Sequence, residues 1–446
     1  MQKTVLTQAV AVALATFGVG AAFAQSSLTL YGNADVSVDH VKKSAGGSLL
    51  TGTTPLPPLG NATAAQATAG QKSSVTRVSP SATSQTSYGI RGTEDIGGGF
   101  KASFVLEGQL SHDTGALSQD GRFFGRQSYV GLTTPFGEVR LGRQYAPIFY
   151  STAFVTGERF GATDLFIEGG ASNNLMVRQD NQVSYWLKLG GLTASVAYSP
   201  DAGSNDLITN ARGGQVSSTN GGLLGSAGAG GETAGSKNGR STGLFANYAF
   251  NPALNATFGY HHNEFDGAQF GLYSAAANAV LATSAFALDD YSAYNLGVKY
   301  IVPGNNIMLS GTFGTGKYNM VGDDGSLKLQ FLAVGVRVPV EAWTFSGQVS
   351  QSKFKNFTKG KDTGLMFGAE YALSKRTSLY ARFVQIKDDE GEAADVGFNP
   401  AFGGMTGGPD VVATALGFRE TPVFAGAGIN PGGKTTYFGA GVRHSF

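Results

Sequence analysis

The 446-residue chain contains no cysteine, only two tryptophans and only five histidines. Without cysteine it cannot form disulfide bonds, use a thiolate nucleophile or bind zinc through sulfur. The formal net charge is +1, and the lack of a basic excess argues against nucleic acid as a partner. No phosphate-binding or serine-hydrolase motif stands in a strand–turn–helix context. We therefore predict no catalytic residues and no cofactor.

A metal site is also not expected. His261 and His262 are adjacent in an alternating segment. Adjacent residues of a strand point to opposite faces, so these two imidazoles cannot bind one ion together. The simplest interpretation is an ordinary pair of strand residues.

Beyond its first residues the chain lacks the roughly 18 uninterrupted apolar residues of a transmembrane helix. The first residues have the features of a secretory signal, namely Lys3, an apolar run, and the small-x-small site Ala22-Phe23-Ala24. We predict a signal peptide over residues 1–24 and a single exported domain over residues 25–446. If this domain crosses a membrane, it must use strands in a closed barrel, because no helix is available to satisfy its backbone groups in lipid.

Segments of about ten residues that alternate apolar and polar side chains fill much of the chain. In the first of them, Leu28, Leu30 and Val36 alternate with Thr29 and Asp35. Seven short links alternate with eight longer, mostly polar ones, which predicts sixteen strands. Short turns at one end and long loops at the other are typical of outer-membrane barrels, and sixteen strands enclose an aqueous lumen. The predicted fold is all-β, a 16-stranded antiparallel transmembrane β-barrel.

A soluble all-β protein is the alternative fold. It would not need aromatic residues near strand ends, where membrane barrels carry interfacial girdles. The residues expected in such girdles are Tyr198, Tyr248, Tyr300, Tyr371 and Tyr437. The long links are expected near residues 40–83, 200–239, 264–290 and 388–434.

The segment 146–177 differs from its neighbours because it is rich in large apolar residues but has no sustained period of two. Burying each such side chain contributes about 1.5–3 kcal/mol, so a loop exposed to water would not need them. Irregular loops longer than about 12–15 residues are usually functional or disordered, and the aromatic content argues against disorder. We predict a loop folded against the interior wall that holds Glu158, Asp164 and Glu168 inside the barrel.

At this point the chain resembles the trimeric general porins of Gram-negative outer membranes, in the version typical of β-proteobacteria. The similarity covers nearly all of the exported part and depends on several motifs in the correct order. They are Leu30-Tyr31-Gly32, GIRGTEDIG at residues 89–97, FGRQSYVGL at 124–132, LGRQ at 141–144, YALSKRT at 371–377 and the ending GVRHSF at 441–446.

The resemblance implies a homotrimer whose third loop, 146–177, folds into the pore and narrows it. It implies that acidic groups on this loop, Glu158, Asp164 and Glu168, face basic groups on the wall. The wall candidates are Arg91, Arg126, Arg140, Arg143 and Arg178. The chain has Ser87 where the family often has an arginine, which leaves the charge balance open. The resemblance also implies that the assembly machinery of the outer membrane reads the terminal Phe446.

The leading functional hypothesis is passive diffusion of ions and small hydrophilic solutes through a water-filled pore in the outer membrane. A substrate-selective channel of the same fold is the alternative, and would show saturable block by one solute. An outer-membrane enzyme is a third possibility, but it would need a nucleophile–base pair at the rim that no motif provides. We therefore expect a channel rather than an enzyme.

Overall fold

A computed structural model describes residues 27–44, 72–80, 83–84, 86–117, 122–156, 178–200, 215–217, 237, 239–274, 279–320, 326–356, 360–389 and 433–446. These residues form one antiparallel sheet and one helix. The strands are β1 (Ser27–Lys43), β2 (Ser73–Pro80), β3 (Ser87–Gly97), β4 (Phe100–Gln109), β5 (Gln127–Thr134), β6 (Gly137–Tyr145), β7 (Arg178–Leu189), β8 (Leu192–Ser199), β9 (Gln215–Ser217), β10 (Ser241–Ala249), β11 (Leu254–Ser274), β12 (Ala279–Ile301), β13 (Met308–Met320), β14 (Ser326–Val340), β15 (Trp343–Asn356), β16 (Gly360–Ala372), β17 (Thr377–Asp389) and β18 (Lys434–Ser445). The helix is α1 (Pro147–Thr156).

The sheet closes on itself because β1 pairs with β18 from Asn33↔Ser445 to Lys43↔Thr435. The eighteen strand segments occupy sixteen positions in the wall. β2 and β3 share one position, since both pair with the same edge of β1. β9 and β10 share another, since both pair with β11. The predicted 16-stranded antiparallel barrel is confirmed.

The seven predicted short links are present as tight turns, and they define what we call the short-turn end of the barrel. The opposite end is the long-loop end. Two predicted loops were too long. Residues 73–80 of the link expected over 40–83 form β2, which continues the ladder of β1. In the link expected over 264–290, β11 and β12 continue to pair well beyond Glu264.

The two faces of the wall have different side chains. The outward face carries exposed apolar residues on almost every strand, including Leu28, Leu30, Val130, Leu141, Val183, Leu296, Val334, Phe367 and Val442. The inward face is largely polar, as shown by the buried Asp35, Gln182, Ser184 and Asn295. This is the alternation that a wall between lipid and an aqueous lumen requires. In the described part of the chain, no helix is long and apolar enough to cross a membrane.

The girdle prediction is right for Tyr248 and Tyr300, which are exposed on the outward face near short turns, and wrong for Tyr437. Tyr437 is 1% exposed and points inward, while its neighbour Phe438 is 54% exposed on the outward face. Whether a strand residue faces inward or outward depends on whether its position in β18 is odd or even, and not on its distance from the strand end.

Candidate functional site

The helix α1 lies on the inward face of the barrel, against β10, β11 and β12. Its buried side includes Ile148, Ser151 and Val155. Two side chains of the barrel wall donate hydrogen bonds to its backbone. The hydroxyl of Thr257 donates to the carbonyl of Ser151 at 2.5 Å, and the Lys299 ammonium donates to the carbonyl of Phe154 at 2.9 Å. The first third of the predicted infolded loop is therefore a helix inside the barrel.

Glycines in the wall make room for this helix. A Cβ at Gly259 would lie 2.6 Å from Oγ of Ser151, and one at Gly297 would lie 2.6 Å from Cγ2 of Val155. At Gly243 it would lie 2.8 Å from Cδ of Pro147. Because no real Cβ makes contacts this short, larger residues at these positions would push the helix away from the wall. We call these three glycines the helix seat.

Aromatic rings fix the helix laterally. Tyr150 stands edge-on to Trp186 of β7, with ring centroids 4.9 Å apart, and Phe154 lies 5.0 Å from Phe245 of β10. Aromatic pairs such as these add about 0.5–1.5 kcal/mol beyond their buried area. Burial raises the pKa of Tyr150 above its ordinary value, because the phenolate would lose its hydration.

Two of the predicted arginines meet at Tyr145, the last residue before Ala146 and the helix. Arg126 donates to the Tyr145 hydroxyl at 2.6 Å, and Arg178 lies with its guanidinium carbon 4.9 Å from the centre of the Tyr145 ring. The Tyr145 ring also stacks on Phe149 of α1, with ring centroids 4.4 Å apart. The start of the helix is thus attached to the arginines of the wall through one aromatic ring.

A carboxylate of the wall holds Arg126. Glu107 on β4 forms an ion pair with Arg126 and accepts a hydrogen bond from the Tyr31 hydroxyl at 2.8 Å. Arg91 on β3 lies with its guanidinium carbon 5.0 Å from the centre of the Tyr31 ring and is exposed on the inward face. These contacts bring Arg91, Arg126 and Arg178 into one group around Glu107 and Tyr145.

The other two predicted arginines have their own carboxylates. Arg140 pairs with Glu138 at 2.8 Å and lies between two aromatic rings, those of Tyr129 and Trp186. Arg143 is mostly buried and donates to Asp180 at 2.6 Å. Both oxygens of Asp180 also accept hydrogen bonds from a sixth arginine, Arg122, at 3.0 and 2.9 Å.

We call the six side chains Arg91, Arg122, Arg126, Arg140, Arg143 and Arg178 the arginine wall. Among the described residues, the carboxylates that form ion pairs with it are Glu107, Glu138 and Asp180. The wall arginines were predicted to face three carboxylates of the segment 146–177. These residues, Glu158, Asp164 and Glu168, lie outside the described residues. Arg122 and the two partner carboxylates Glu138 and Asp180 were not predicted from the sequence. The one signal in the sequence was that Arg178 and Asp180 are two residues apart in a strand, a spacing that places both side chains on the same face.

Phe446 is described and closes the barrel. Its backbone exchanges two hydrogen bonds with Gly32 of β1, at 3.2 and 3.1 Å. Its ring lies over Gly32, where a Cβ would overlap the ring carbon Cζ. The terminal aromatic residue therefore has a packing role in addition to the signalling role that the sequence predicts.

The two adjacent histidines are separated by the wall, as predicted. His261 is fully buried on the inward face, and His262 contacts Ser292 on the outward face at 2.9 Å. Within the described ranges, no group of three or more histidine, aspartate or glutamate side chains is placed to hold a metal ion.

Comparisons with known proteins agree with this architecture. A family model described as Gram-negative porin matches residues 9–391. The chain is 28% identical over 459 residues to outer membrane porin protein 32 of Delftia acidovorans, with both chains fully covered. It is 36% identical over 123 residues to an outer membrane porin protein of Bordetella pertussis, covering 27% of this chain and 31% of that one.

Solved structures show the same fold. The anion-selective porin from Comamonas acidovorans superposes with a TM-score of 0.59 at 23% identity, covering 95% of this chain and all of that one. The trimer form of OmpT from Vibrio cholerae superposes with a TM-score of 0.55 at 12% identity, covering 94% of this chain and 99% of that one. At these identities the superpositions establish the barrel fold alone.

Proposed function

This chain belongs to the Gram-negative porin family, and we propose that its channel favours anions among the ions and small hydrophilic solutes that pass. Membership in the family, with relatives named outer membrane porins, makes it an outer-membrane barrel and a passive channel. The family also indicates a channel rather than an enzyme. The alternative, a substrate-selective channel, differs in how one solute would bind and not in fold.

One observation carries the anion preference. Among the residues that the structure describes, the arginine wall places six guanidinium groups in one inward-facing region with three carboxylates, so arginine side chains outnumber the described carboxylates there. Arginine keeps its charge at any physiological pH. Rings of such side chains are how anion pores select, because they attract ions of one sign and repel the other.

We further propose that the segment 146–177 forms the constriction. Glu158, Asp164 and Glu168 would then face the arginine wall and offset part of its charge. The position of α1 beside Tyr145 supports this, because it starts the segment next to Arg126 and Arg178. The three carboxylates would moderate the anion preference rather than reverse it.

Three features implied by the resemblance complete the proposal. Residues 1–24 are removed as a signal peptide, which leaves residues 25–446 as one barrel domain. Three copies assemble in the outer membrane, and the trimer form of OmpT, an outer membrane protein of Vibrio cholerae with a similar fold, supports this. The assembly machinery recognises Phe446, as the resemblance implies, and the ring of this residue is exposed.

Planar-bilayer recording tests the proposal. In a tenfold potassium chloride gradient at low salt, the zero-current potential should have the sign of a chloride-preferring pore. The conductance should rise with salt without saturating, since a passive pore has no high-affinity site. A cation-preferring potential would contradict the anion preference. Saturable block by one solute at low concentration would favour the substrate-selective channel.

A further inference from the structure

The link between β2 and β3 is longer than the gap that it spans in the wall. β2 ends opposite Val36 of β1, and β3 begins opposite Asn33. The six residues 81–86 therefore stand opposite only two residues of β1, 34–35. Six residues cannot continue a strand across a gap of two, because paired strands advance by the same distance per residue. Part of the link must leave the sheet.

The described residues of this link turn inward, onto Asp35. The side chain of Asp35 is fully buried on the inward face. One of its carboxylate oxygens accepts hydrogen bonds from the backbone amides of Thr83 and Ser84, at 2.9 and 2.7 Å, and also from the Thr83 hydroxyl. The side-chain amide of Asn33, which lies on the same face two residues away, donates to the Ser84 hydroxyl. Thr83 and Ser84 therefore lie inside the barrel.

Thr86 fills the gap that the link leaves in the ladder of β1. Its hydroxyl accepts a hydrogen bond from the backbone amide of Asp35 and donates one to the carbonyl of the same residue, both at 3.3 Å. The same hydroxyl lies 3.0 Å from Nδ1 of His112, in the link between β4 and β5. We call Thr83, Ser84 and Thr86 the inner ledge.

A tyrosine on another strand fixes the second carboxylate oxygen of Asp35. The hydroxyl of Tyr380 on β17 donates to this oxygen across the intervening strand β18. Gly441 of β18 leaves room for the contact, because a Cβ there would overlap the Tyr380 hydroxyl. Tyr380 thus positions Asp35, and Asp35 positions the inner ledge.

The inner ledge lies across the lumen from the helix α1. Around the barrel, the positions that follow β1 are held by β2 with β3, then β4, β5, β6, β7, β8, β9 with β10, and β11. β11 is the eighth of these, and in a ring of sixteen positions the eighth is directly opposite. Since α1 packs against β10, β11 and β12, the two inward elements approach the lumen from opposite sides.

The inner ledge also lies next to the arginine wall. Ser87, the residue after Thr86, pairs with Gln109 of β4, and the Gln109 side chain accepts a hydrogen bond from Arg126 at 3.2 Å. β3 runs from Ser87 toward the short-turn end, so the ledge lies on the long-loop side of Arg126. A solute that enters from the long-loop end passes the ledge before it reaches the arginines.

We propose that the inner ledge is a second constriction of the pore, held in place by Asp35, and that it limits the size of the solutes that reach the arginine wall. Asp35 acts as a positioning residue, because its carboxylate is hydrogen-bonded to the ledge and to Tyr380. A chain laid beside a strand occupies a width of about 5 Å. The inference requires a water-filled pore, and depends neither on the ion preference of that pore nor on the segment 157–177.

Deletion of residues 82–85 is the sharpest test. It leaves two residues between Pro80 and Ser87, the number that the register of β1 requires, so β2 and β3 can join into one continuous strand. Asp35→Asn in the same chain removes the charge that the ledge no longer contacts. In proteoliposome swelling with neutral sugars, the rate for a trisaccharide relative to a monosaccharide should rise at least about threefold, because about 5 Å of chain leaves the cross-section.

Asp35→Ala and Asp39→Ala are matched single substitutions. Both remove a buried inward carboxylate of β1, but Asp39 pairs with Arg77 of β2 and, among the described contacts, not with the ledge. Asp35→Ala should raise the same ratio of rates about twofold or more, whereas Asp39→Ala should leave it near the wild-type value. The heat-dependent shift in gel migration shows that the barrel of each variant is folded. If Asp35→Ala does not fold, the deletion variant decides.

Two results would overturn the proposal. The first is an unchanged ratio in the folded deletion variant, which would place the inner ledge outside the conducting cross-section. The second is an equal ratio in Asp35→Ala and Asp39→Ala, which would show that Asp35 does not position the ledge. Because the sugars carry no charge, an error in the proposed anion preference would change neither result.

Discussion

The inward faces of β3–β7 and of β10–β12 have the same alternating pattern but opposite content. The first carries the arginine wall, whose long side chains are held by carboxylates and aromatic rings. The second carries the helix seat, where Gly243, Gly259 and Gly297 leave space for α1. Where the wall must hold charge toward passing ions it uses the longest side chains. Where the wall must accommodate the helix α1, it has glycine, which lacks a side chain.

The comparison also shows how the two regions are connected. Tyr145 belongs to the arginine wall through Arg126 and Arg178, and to the helix through its stack on Phe149. A substitution in either region is therefore expected to affect the packing of the other.

Removing the helix should have the largest effect. Deletion of residues 152–171 takes away the second half of α1 and much of the segment proposed to narrow the pore. A helix with its side chains is about 10–12 Å wide, so single-channel conductance should rise by roughly a factor of two or more. Unchanged conductance would show that the segment does not occupy the conducting cross-section.

Breaking the arginine wall should lower stability. In Arg126→Ala, Glu107 loses its ion-pair partner inside the barrel, and removing one member of a buried pair costs about 3–5 kcal/mol. Heat-induced unfolding in detergent measures the loss. Arg91→Ala is the matched control, because Arg91 is exposed and contacts only the Tyr31 ring among the described contacts, so we expect a loss of about 0.5–1 kcal/mol. Equal losses in the two variants would contradict the proposed difference between them.

Filling the helix seat should have a smaller effect. In Gly297→Leu, the new side chain meets Val155 and the backbone of Ser151, and overpacking of this kind typically costs about 1–3 kcal/mol. The same measurement of unfolding applies. Gly311→Leu on the adjacent strand is the control, because the nearest atom to a Cβ there is 4.0 Å away. Equal losses of stability in the two variants would show that the packing of α1 does not depend on the helix seat.

Neutralising the loop carboxylates should have the smallest effect. Glu158→Gln, Asp164→Asn and Glu168→Gln together should move ion preference further toward anions, with little change in conductance. One charge about 10 Å from an ion contributes on the order of 0.4 kcal/mol in water, so each substitution shifts the anion-to-cation ratio roughly fourfold at most. Salt reduces the effect by screening. A zero-current potential that does not respond at low salt would place these carboxylates outside the ion path.

The alternation of apolar and polar residues along the sequence predicted much of the fold. It predicted the strand count, the closed barrel and the opposite faces of residues such as Asp35 and Leu30, because burial on one side fixes the parity of each strand. It failed for Tyr437, where closeness to a strand end was used instead of parity. It also missed β2, because the small polar residues near Val75 and Val78 are as common in loops as in edge strands.

The site was less predictable. The segment Pro147–Thr156 is apolar nearly all round and rich in residues of low helix propensity, so its helix depends on packing against the wall. Pro147 at its first position was the one local signal. The partners Glu138 and Asp180 could not be assigned, because cross-strand register decides which carboxylate reaches which arginine. The five predicted arginines are all described and inward-facing or buried, and their roles in conduction stay predictions.

The zero-current potential of a double variant tests the central claim most directly. Arg91→Gln with Arg178→Gln removes two charges from the arginine wall, and Lys375→Gln with Arg376→Gln removes two from the short turn at the barrel end. In a tenfold potassium chloride gradient at low salt, the first pair should lower the anion-to-cation permeability ratio severalfold, and the second pair should change it by less than about twofold. An anion preference that survives the loss of Arg91 and Arg178 unchanged would contradict the claim that the arginine wall sets it.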